Sequence, residues 1–246
     1  MQDFDRYMSP FSHDELMERC RRIKHVALDM DGTIYMGSTL FPFTHRFLDT
    51  LTEMGITYSF LTNNPTRSHK DYLAKLDKLG IRATDEQMYT SSLATIDYIK
   101  QHHPQAKRLF TLGTPSMQEA FVKAGFELCA DDPNDRPDLL VVDFDPTLEY
   151  KRLCRATWWA SKPDIPYIAT NPDWVCPTDQ EVILVDCGSL CKAIEGACKR
   201  QPDIVIGKPN PGMLLCIRDK RGLKSEEISM VGDRIYTDTA TAHNNG

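Results

Sequence analysis

The sequence predicts an α/β protein: a Rossmann-like core on a parallel sheet, with a second α/β domain inserted into it. Three observations carry this. Residues 26–33 read V-A-L-D-M-D-G-T, a short apolar run ending in two aspartates one residue apart. Short apolar runs then alternate with segments of helical spacing that stop at a glycine, the rhythm of βαβ units. A further set of such runs interrupts the first, which places the core at residues 1–99 and 187–246 and the inserted domain at 100–186.

Taken in order, Asp14 to Arg22 reads as a charged lead-in helix and Lys24 to Leu28 as the strand that delivers the aspartates. Phe43 to Met54 has helical spacing and stops at Gly55, and Ile56 to Leu61 is a strand running into Thr62-Asn63-Asn64-Pro65. A helix at Lys70 to Leu79, a strand at Gln87 to Thr90 and a helix opened by Ser91 or Ser92 complete the first segment. In the insert, Arg108–Leu112, Leu139–Phe144 and Pro166–Ala169 read as strands. Ser116–Ala124 and Tyr150–Ser161 read as helices, with Trp158 and Trp159 as core or domain-interface residues. Afterwards a helix runs from Gly188-Ser189 to about Lys199. Ile204 to Ile206 is a strand ending in Gly207-Lys208-Pro209, Met213 to Lys220 a helix closed by Gly222, and Ile228 to Val231 a strand ending in Gly232-Asp233.

Composition narrows the class. With 41% hydrophobic residues, 26% charged residues and a net charge of −6, the chain reads as an ordinary globular protein with no signature of nucleic-acid binding. No stretch reaches the apolar length of a membrane span, and Met1 to Lys24 lacks the apolar segment of a signal peptide. The eight cysteines form no C-x-x-C pair, so reduced thiols and a cytoplasmic location are expected.

Active sites of open α/β sheets lie where the strands end. Asp29 and Asp31 at one strand tip repel each other unless a cation or proton lies between them, and oxygen-only ligation there suits Mg²⁺. An EF-hand is excluded, because aligning Gly32 with that loop's glycine puts Ala27 and Ser38 at its first and twelfth ligand positions. Three further strand ends carry apt residues: Thr62 with Asn63, Lys208, and Asp233 with Asp238. All four are expected on one edge of one parallel sheet.

These motifs, D-M-D-G-T, L-T-N-N, G-K-P and G-D-R-I-Y-T-D, resemble those of the haloacid dehalogenase superfamily of phosphohydrolases. I-A-T-N-P-D, C-G-S-L-C-K-A-I-E and V-I-G-K-P-N-P resemble its NagD-like and p-nitrophenyl phosphatase branch. The interval from Asp29 to Thr62 leaves no room for a cap and that from Thr62 to Lys208 has ample room, so the resemblance implies a large α/β cap domain of the second type. It implies Asp29 as nucleophile, forming an aspartyl-phosphate, and Asp31 as general acid and base. Mg²⁺ would be held by Asp29, the Asp31 backbone carbonyl and Asp233. Thr62 and the Asn63 amide would bind phosphoryl oxygens, Lys208 would neutralise charge, and Asp238 would orient Lys208 or a metal-bound water.

In that branch the cap supplies a substrate loop, here Asn171 to Thr178, with Asn171, Asp173, Trp174 and Cys176 as candidates. Sugar phosphates, nucleotides, phosphoglycolate, pyridoxal phosphate or p-nitrophenyl phosphate remain open as substrates, and a homodimer through the cap is an expectation. A phosphotransferase or mutase using the same aspartyl-phosphate, and a phosphometabolite-binding protein without turnover, are the competing readings. Relatives continue beyond the fourth motif into another core strand, so the chain is expected either to be truncated or to lack a sheet edge.

Overall fold

The computed structural model describes residues 11–64, 69–176 and 181–246. Pro65, which follows the second motif, and Pro177 and Thr178 of the expected substrate loop lie outside the described residues.

In chain order the elements are α1 (His13–Cys20), β1 (His25–Leu28), β2 (Tyr35–Met36), β3 (Thr39–Leu40), α2 (Thr44–Glu53), β4 (Thr57–Thr62), α3 (His69–Lys78), β5 (Met88–Thr90) and α4 (Ser91–His102). There follow β6 (Arg108–Leu112), α5 (Pro115–Lys123), β7 (Glu127–Leu128), β8 (Leu139–Val142), α6 (Tyr150–Ala160), β9 (Tyr167–Ala169), β10 (Val175–Cys176) and β11 (Leu184–Val185). The chain continues with α7 (Cys187–Cys198), β12 (Ile204–Val205), α8 (Gly212–Arg221), β13 (Ile228–Val231), a π-helical turn (Ile235–Thr239) and α9 (Ala240–Asn244).

Two compact units result. The first comprises residues 1–62, 69–89 and 208–246, the second 63–68 and 90–207. The first of these divisions differs from the sequence boundary at 99/100 because α4 falls in the second unit, and the other from 186/187 because α7 buries Cys187, Leu190 and Ile194 in that unit's core and β12 pairs with its sheet.

The first unit carries a sheet in the order β13-β1-β4-β5, with β1 parallel to both neighbours. Every residue of β1 is buried, which explains the unbroken apolar run: a central parallel strand is covered on both faces. Leu28, Met30, Ile34, Phe60 and Leu76 form the heart of its core.

In the second unit five parallel strands run in the order β12-β9-β8-β6-β7. Phe110, Leu140, Trp159 and Tyr167 pack within its core. The tryptophan pair divides: Trp159 is buried, while Trp158 is exposed and carries Lys162 Nζ over its ring at 3.7 Å. One expectation fails here. The strand before Lys208 pairs with β9 of the second sheet, so the four motif-bearing strand ends do not share one sheet edge. A two-residue strand can extend either sheet, and its pattern does not say which.

Helix α4 holds a second correction. Thr90, rather than Ser91 or Ser92, caps it by accepting a hydrogen bond from Leu93 N at 3.2 Å. Both serines lie inside the first turn, and their hydroxyls are spent elsewhere: Ser91 on the Asn63 carbonyl and Ser92 on the Asp143 carboxylate.

Candidate active site

Three strands of the first sheet end together. Past β1 the backbone coils immediately: Thr33 N and Ile34 N both donate to Met30 O, and Gly32 N donates to Tyr35 O at 2.8 Å. Gly32 makes this possible. Its φ of +92° lies in the left-handed region, and a Cβ there would collide with the Asp233 carboxylate, 2.7 Å from its Cγ. The glycine of D-M-D-G-T thus lets the last strand's aspartate close against the first strand's turn.

Lys208 is almost fully buried, and its Nζ donates to Asp29 Oδ1 at 2.5 Å and to Asp238 Oδ1 at 2.7 Å. The other oxygens are also held: Thr33 Oγ1 donates to Asp29 Oδ2 at 3.3 Å, and Arg234 N to Asp238 Oδ2 at 3.1 Å. Carboxylate oxygens of Asp29, Asp233 and Asp238 lie within 4.8 Å of one another. Burial pushes the Asp29 carboxyl above its usual range, with the Lys208 ammonium pulling the other way. Burial also works against the charge on Lys208, but Asp29 and Asp238 outweigh it and keep the amine protonated.

Three carboxylates face one ammonium, so the cluster carries an excess of negative charge that a hard cation would cancel. The all-oxygen donor set fits Mg²⁺. The Asp31 side chain is exposed and outside this cluster, though its backbone is fixed by pairing with Tyr35. Thr62 is buried at the end of β4. Asp238, expected to orient Lys208 or a metal-bound water, accepts from Lys208 Nζ, and its carboxylate also lies beside those of Asp29 and Asp233.

The second unit orders the remaining candidates. Asn63 Nδ2 donates to Asp173 Oδ2 at 3.1 Å, and Asp173 N donates to Asn171 Oδ1 at 2.9 Å. The loop is clamped from α7: Gly188 N donates to Asp173 O, and Asp186 N and Ser189 Oγ both donate to Trp174 O. A Cβ on Gly188 would fall onto this loop's backbone, 2.8 Å from the Pro172 carbonyl carbon. The Trp174 ring is 59% exposed, so little of it is packed, whereas Cys176 is buried with its Sγ 3.7 Å from Asn64 Oδ1. All eight cysteines are free thiols.

Sequence reading gave no role to Asp143 or Thr170 and took Ser92 only as a candidate helix cap; the three form a buried polar cluster beside the carboxyl edge of the second sheet. A signal existed. L-L-V-V-D-F-D repeats the pattern of an apolar run ending in two aspartates.

A parallel sheet whose strand ends gather carboxylates around a buried lysine gives an α/β fold a charged site at its strand ends, and the comparisons identify the class as a hydrolase. Residues 26–127 match the haloacid dehalogenase-like hydrolase family, and residues 205–246 match a family described as HAD-hydrolase-like. An acid sugar phosphatase of Staphylococcus aureus is 31% identical over 226 residues, covering 92% of this chain and 85% of the relative. Among solved structures, a 4-nitrophenylphosphatase from Thermotoga maritima aligns with a TM-score of 0.85 at 37% identity, over 92% of this chain and 84% of that one. NagD from E. coli K-12 aligns with a TM-score of 0.80 at 28% identity, over 91% and 85%.

The chain belongs to the haloacid dehalogenase-like hydrolase family. It is an enzyme of that family's phosphatase class, a phosphoric monoester hydrolase. Among the described residues no helix is long and apolar enough to cross a membrane.

Proposed function

We propose that this chain is a Mg²⁺-dependent phosphatase of small phosphorylated metabolites that works through an aspartyl-phosphate on Asp29. The observation that carries the reading is the buried Lys208, bonded to Asp29 and Asp238 beside a third carboxylate. Such a centre is costly to fold, and its excess of carboxylates suits a cation that would in turn attract a phosphoryl group.

In the first step an Asp29 oxygen attacks phosphorus in line, and the phosphorus–ester oxygen bond breaks. Asp31, exposed past the strand tip, gives its proton to the departing alkoxide. In the second step the Asp31 carboxylate takes a proton from water as the water oxygen attacks phosphorus. The phosphorus–Asp29 bond then breaks, which restores the Asp29 carboxylate and releases inorganic phosphate. Lys208 holds the Asp29 carboxylate in place and offsets its charge, while Thr62 and Asn63 bind phosphoryl oxygens.

Mg²⁺, held by Asp29, the Asp31 carbonyl and Asp233, would cancel charge on the phosphoryl group. The name of the staphylococcal relative favours sugar phosphates, with Asp173 and Trp174 reading the rest of the substrate from a loop that the buried Asn171 and Cys176 hold in place. The free thiols support a cytoplasmic location.

The test is release of inorganic phosphate from p-nitrophenyl phosphate, with Mg²⁺ and with EDTA, beside Asp29→Asn. Metal-dependent release that falls about 10⁴-fold or more in the variant is the expected result. Well-folded wild-type protein that releases none, from this ester or from a panel of sugar phosphates, overturns the reading.

A further inference from the structure

Asp143 follows β8 and is completely buried, yet no step of the proposed reaction uses it. Its Oδ1 accepts from Thr170 Oγ1 at 2.5 Å and from Phe144 N at 2.8 Å, and its Oδ2 accepts from Ser92 Oγ at 3.2 Å. Phe144 N can only donate, and both hydroxyls can rotate to donate, so the pocket can satisfy an acceptor-only carboxylate. The second aspartate of this D-x-D, Asp145, is turned to local use and accepts from Thr147 N and Thr147 Oγ1.

Two routes lead from Asp143 to Asn63. On α4, Ser92 is adjacent to Ser91, whose hydroxyl donates to the Asn63 carbonyl at 3.2 Å. On the loop after β9, the Asn171 amide stands 3.5 Å from both Asp143 Oδ1 and the Asn63 carbonyl. Asn171 in turn holds Asp173, which accepts from the Asn63 side chain. Gly207 closes the arrangement. A Cβ there would stand 2.6 Å from Asn63 Oδ1 and 2.8 Å from the Thr170 carbonyl oxygen, so the packing leaves Asn63 little room to turn.

We propose that Asp143 is a positioning residue for the phosphoryl-binding turn at Asn63: it organises Ser92, Thr170 and Asn171 into a hydrogen-bonded frame that fixes the Asn63 backbone. The inference rests on the role given to Asn63 under the proposed function. A buried carboxylate suits this role because it can gather several donors at once, and networks of this kind hold a geometry more firmly than isolated pairs.

The test compares wild type with Asp143→Asn, which keeps the shape and removes the charge, and with Thr170→Val, which removes the shortest bond. Steady-state kinetics on p-nitrophenyl phosphate, inhibition by inorganic phosphate, and the rise in Tm that phosphate causes are measured at pH 7.5. The expected result is a KM and a phosphate inhibition constant raised about tenfold, with kcat changed far less, and a phosphate-induced Tm rise that shrinks in parallel. A purely structural role would lower kcat through loss of folded enzyme and leave KM alone, and that pattern overturns the inference. So do folded variants with unchanged KM and phosphate response. If Asp143→Asn does not fold, Thr170→Val decides in the same way. Wild type that does not turn over would sink the phosphatase reading instead, while the phosphate-dependent Tm still reads this one.

Discussion

Replacing Gly32 with alanine is the sharpest perturbation the structure offers, because one methyl group acts on the backbone and on the Asp233 carboxylate at once. At φ +92° a side chain incurs strain of about 1–2 kcal/mol, which lowers Tm by about 2–8 °C in a chain of this size. The added Cβ would also stand 2.7 Å from Asp233 Cγ, whereas ordinary contact begins at 3.4 Å, so that carboxylate must retreat by at least 0.7 Å. A displacement approaching 1 Å at a reacting centre costs up to roughly 100-fold. The Mg²⁺ concentration for half-maximal phosphate release should rise about 10–100-fold. Gly37→Ala is the control, because Gly37 has φ +58° but nothing within 4 Å of its added Cβ, so it should show the Tm loss alone. The assay is a Mg²⁺ titration of phosphate release alongside thermal denaturation of both variants. A Gly32→Ala enzyme whose Mg²⁺ requirement matches that of Gly37→Ala would refute the reasoning.

Three further outcomes follow. Lys208→Met leaves the Asp29 and Asp238 carboxylates without their shared donor, which should cost about 3–5 kcal/mol of stability in EDTA. Mg²⁺ should restore part of that Tm but not the activity, and equal Tm losses with and without Mg²⁺ would contradict the charge argument. His25 is buried beside Thr57, and burial lowers its pKa from 6.5 to about 4. Between these values the unfolded chain binds the extra proton, so the contribution is complete above pH 6.5 and is lost as pH falls toward 4. It is worth up to about 3 kcal/mol, and denaturant titrations from pH 7 to 4 should show a shallower slope for His25→Gln than for wild type. Trp174→Ala should leave stability within about 0.5 kcal/mol, given its exposure, while raising KM three- to tenfold for an aromatic phosphate but not for a sugar phosphate. Equal effects on both esters would remove the stacking role.

Much of the fold was legible because burial is written into composition. The central strand β1 is apolar throughout and buried throughout, and α8 ends at Gly222, whose positive φ is the usual reason for a glycine there. What escaped were elements set by pairing rather than pattern. Strands β2, β3, β7, β10 and β11 are two residues long, too short for any periodicity to register. The strand preceding Lys208 was legible as a strand, but its sheet was not. Two isoleucine–valine residues carry no information about which neighbour they will bond.

The two D-x-D sequences make the same point about chemistry. V-A-L-D-M-D and L-L-V-V-D-F-D are nearly interchangeable as strings, and each ends a buried parallel strand. Their first aspartates meet opposite surroundings. Asp29 stands with two other carboxylates around an ammonium, so its charge is over-matched by like charge and calls for a cation. Asp143 meets two hydroxyls and a backbone amide, so its charge is spread over fixed donors and calls for nothing more. Burial lifts the Asp143 pKa to about 6, so at neutral pH those donors keep it ionised in a site that would otherwise favour the acid. The residues that separate the two cases, Lys208 and Asp238 for one and Ser92 and Thr170 for the other, come from distant parts of the chain. A strand-end aspartate therefore faces a charged cluster or a frame of hydrogen-bond donors according to what the fold brings to it, and the local string could not have ranked them.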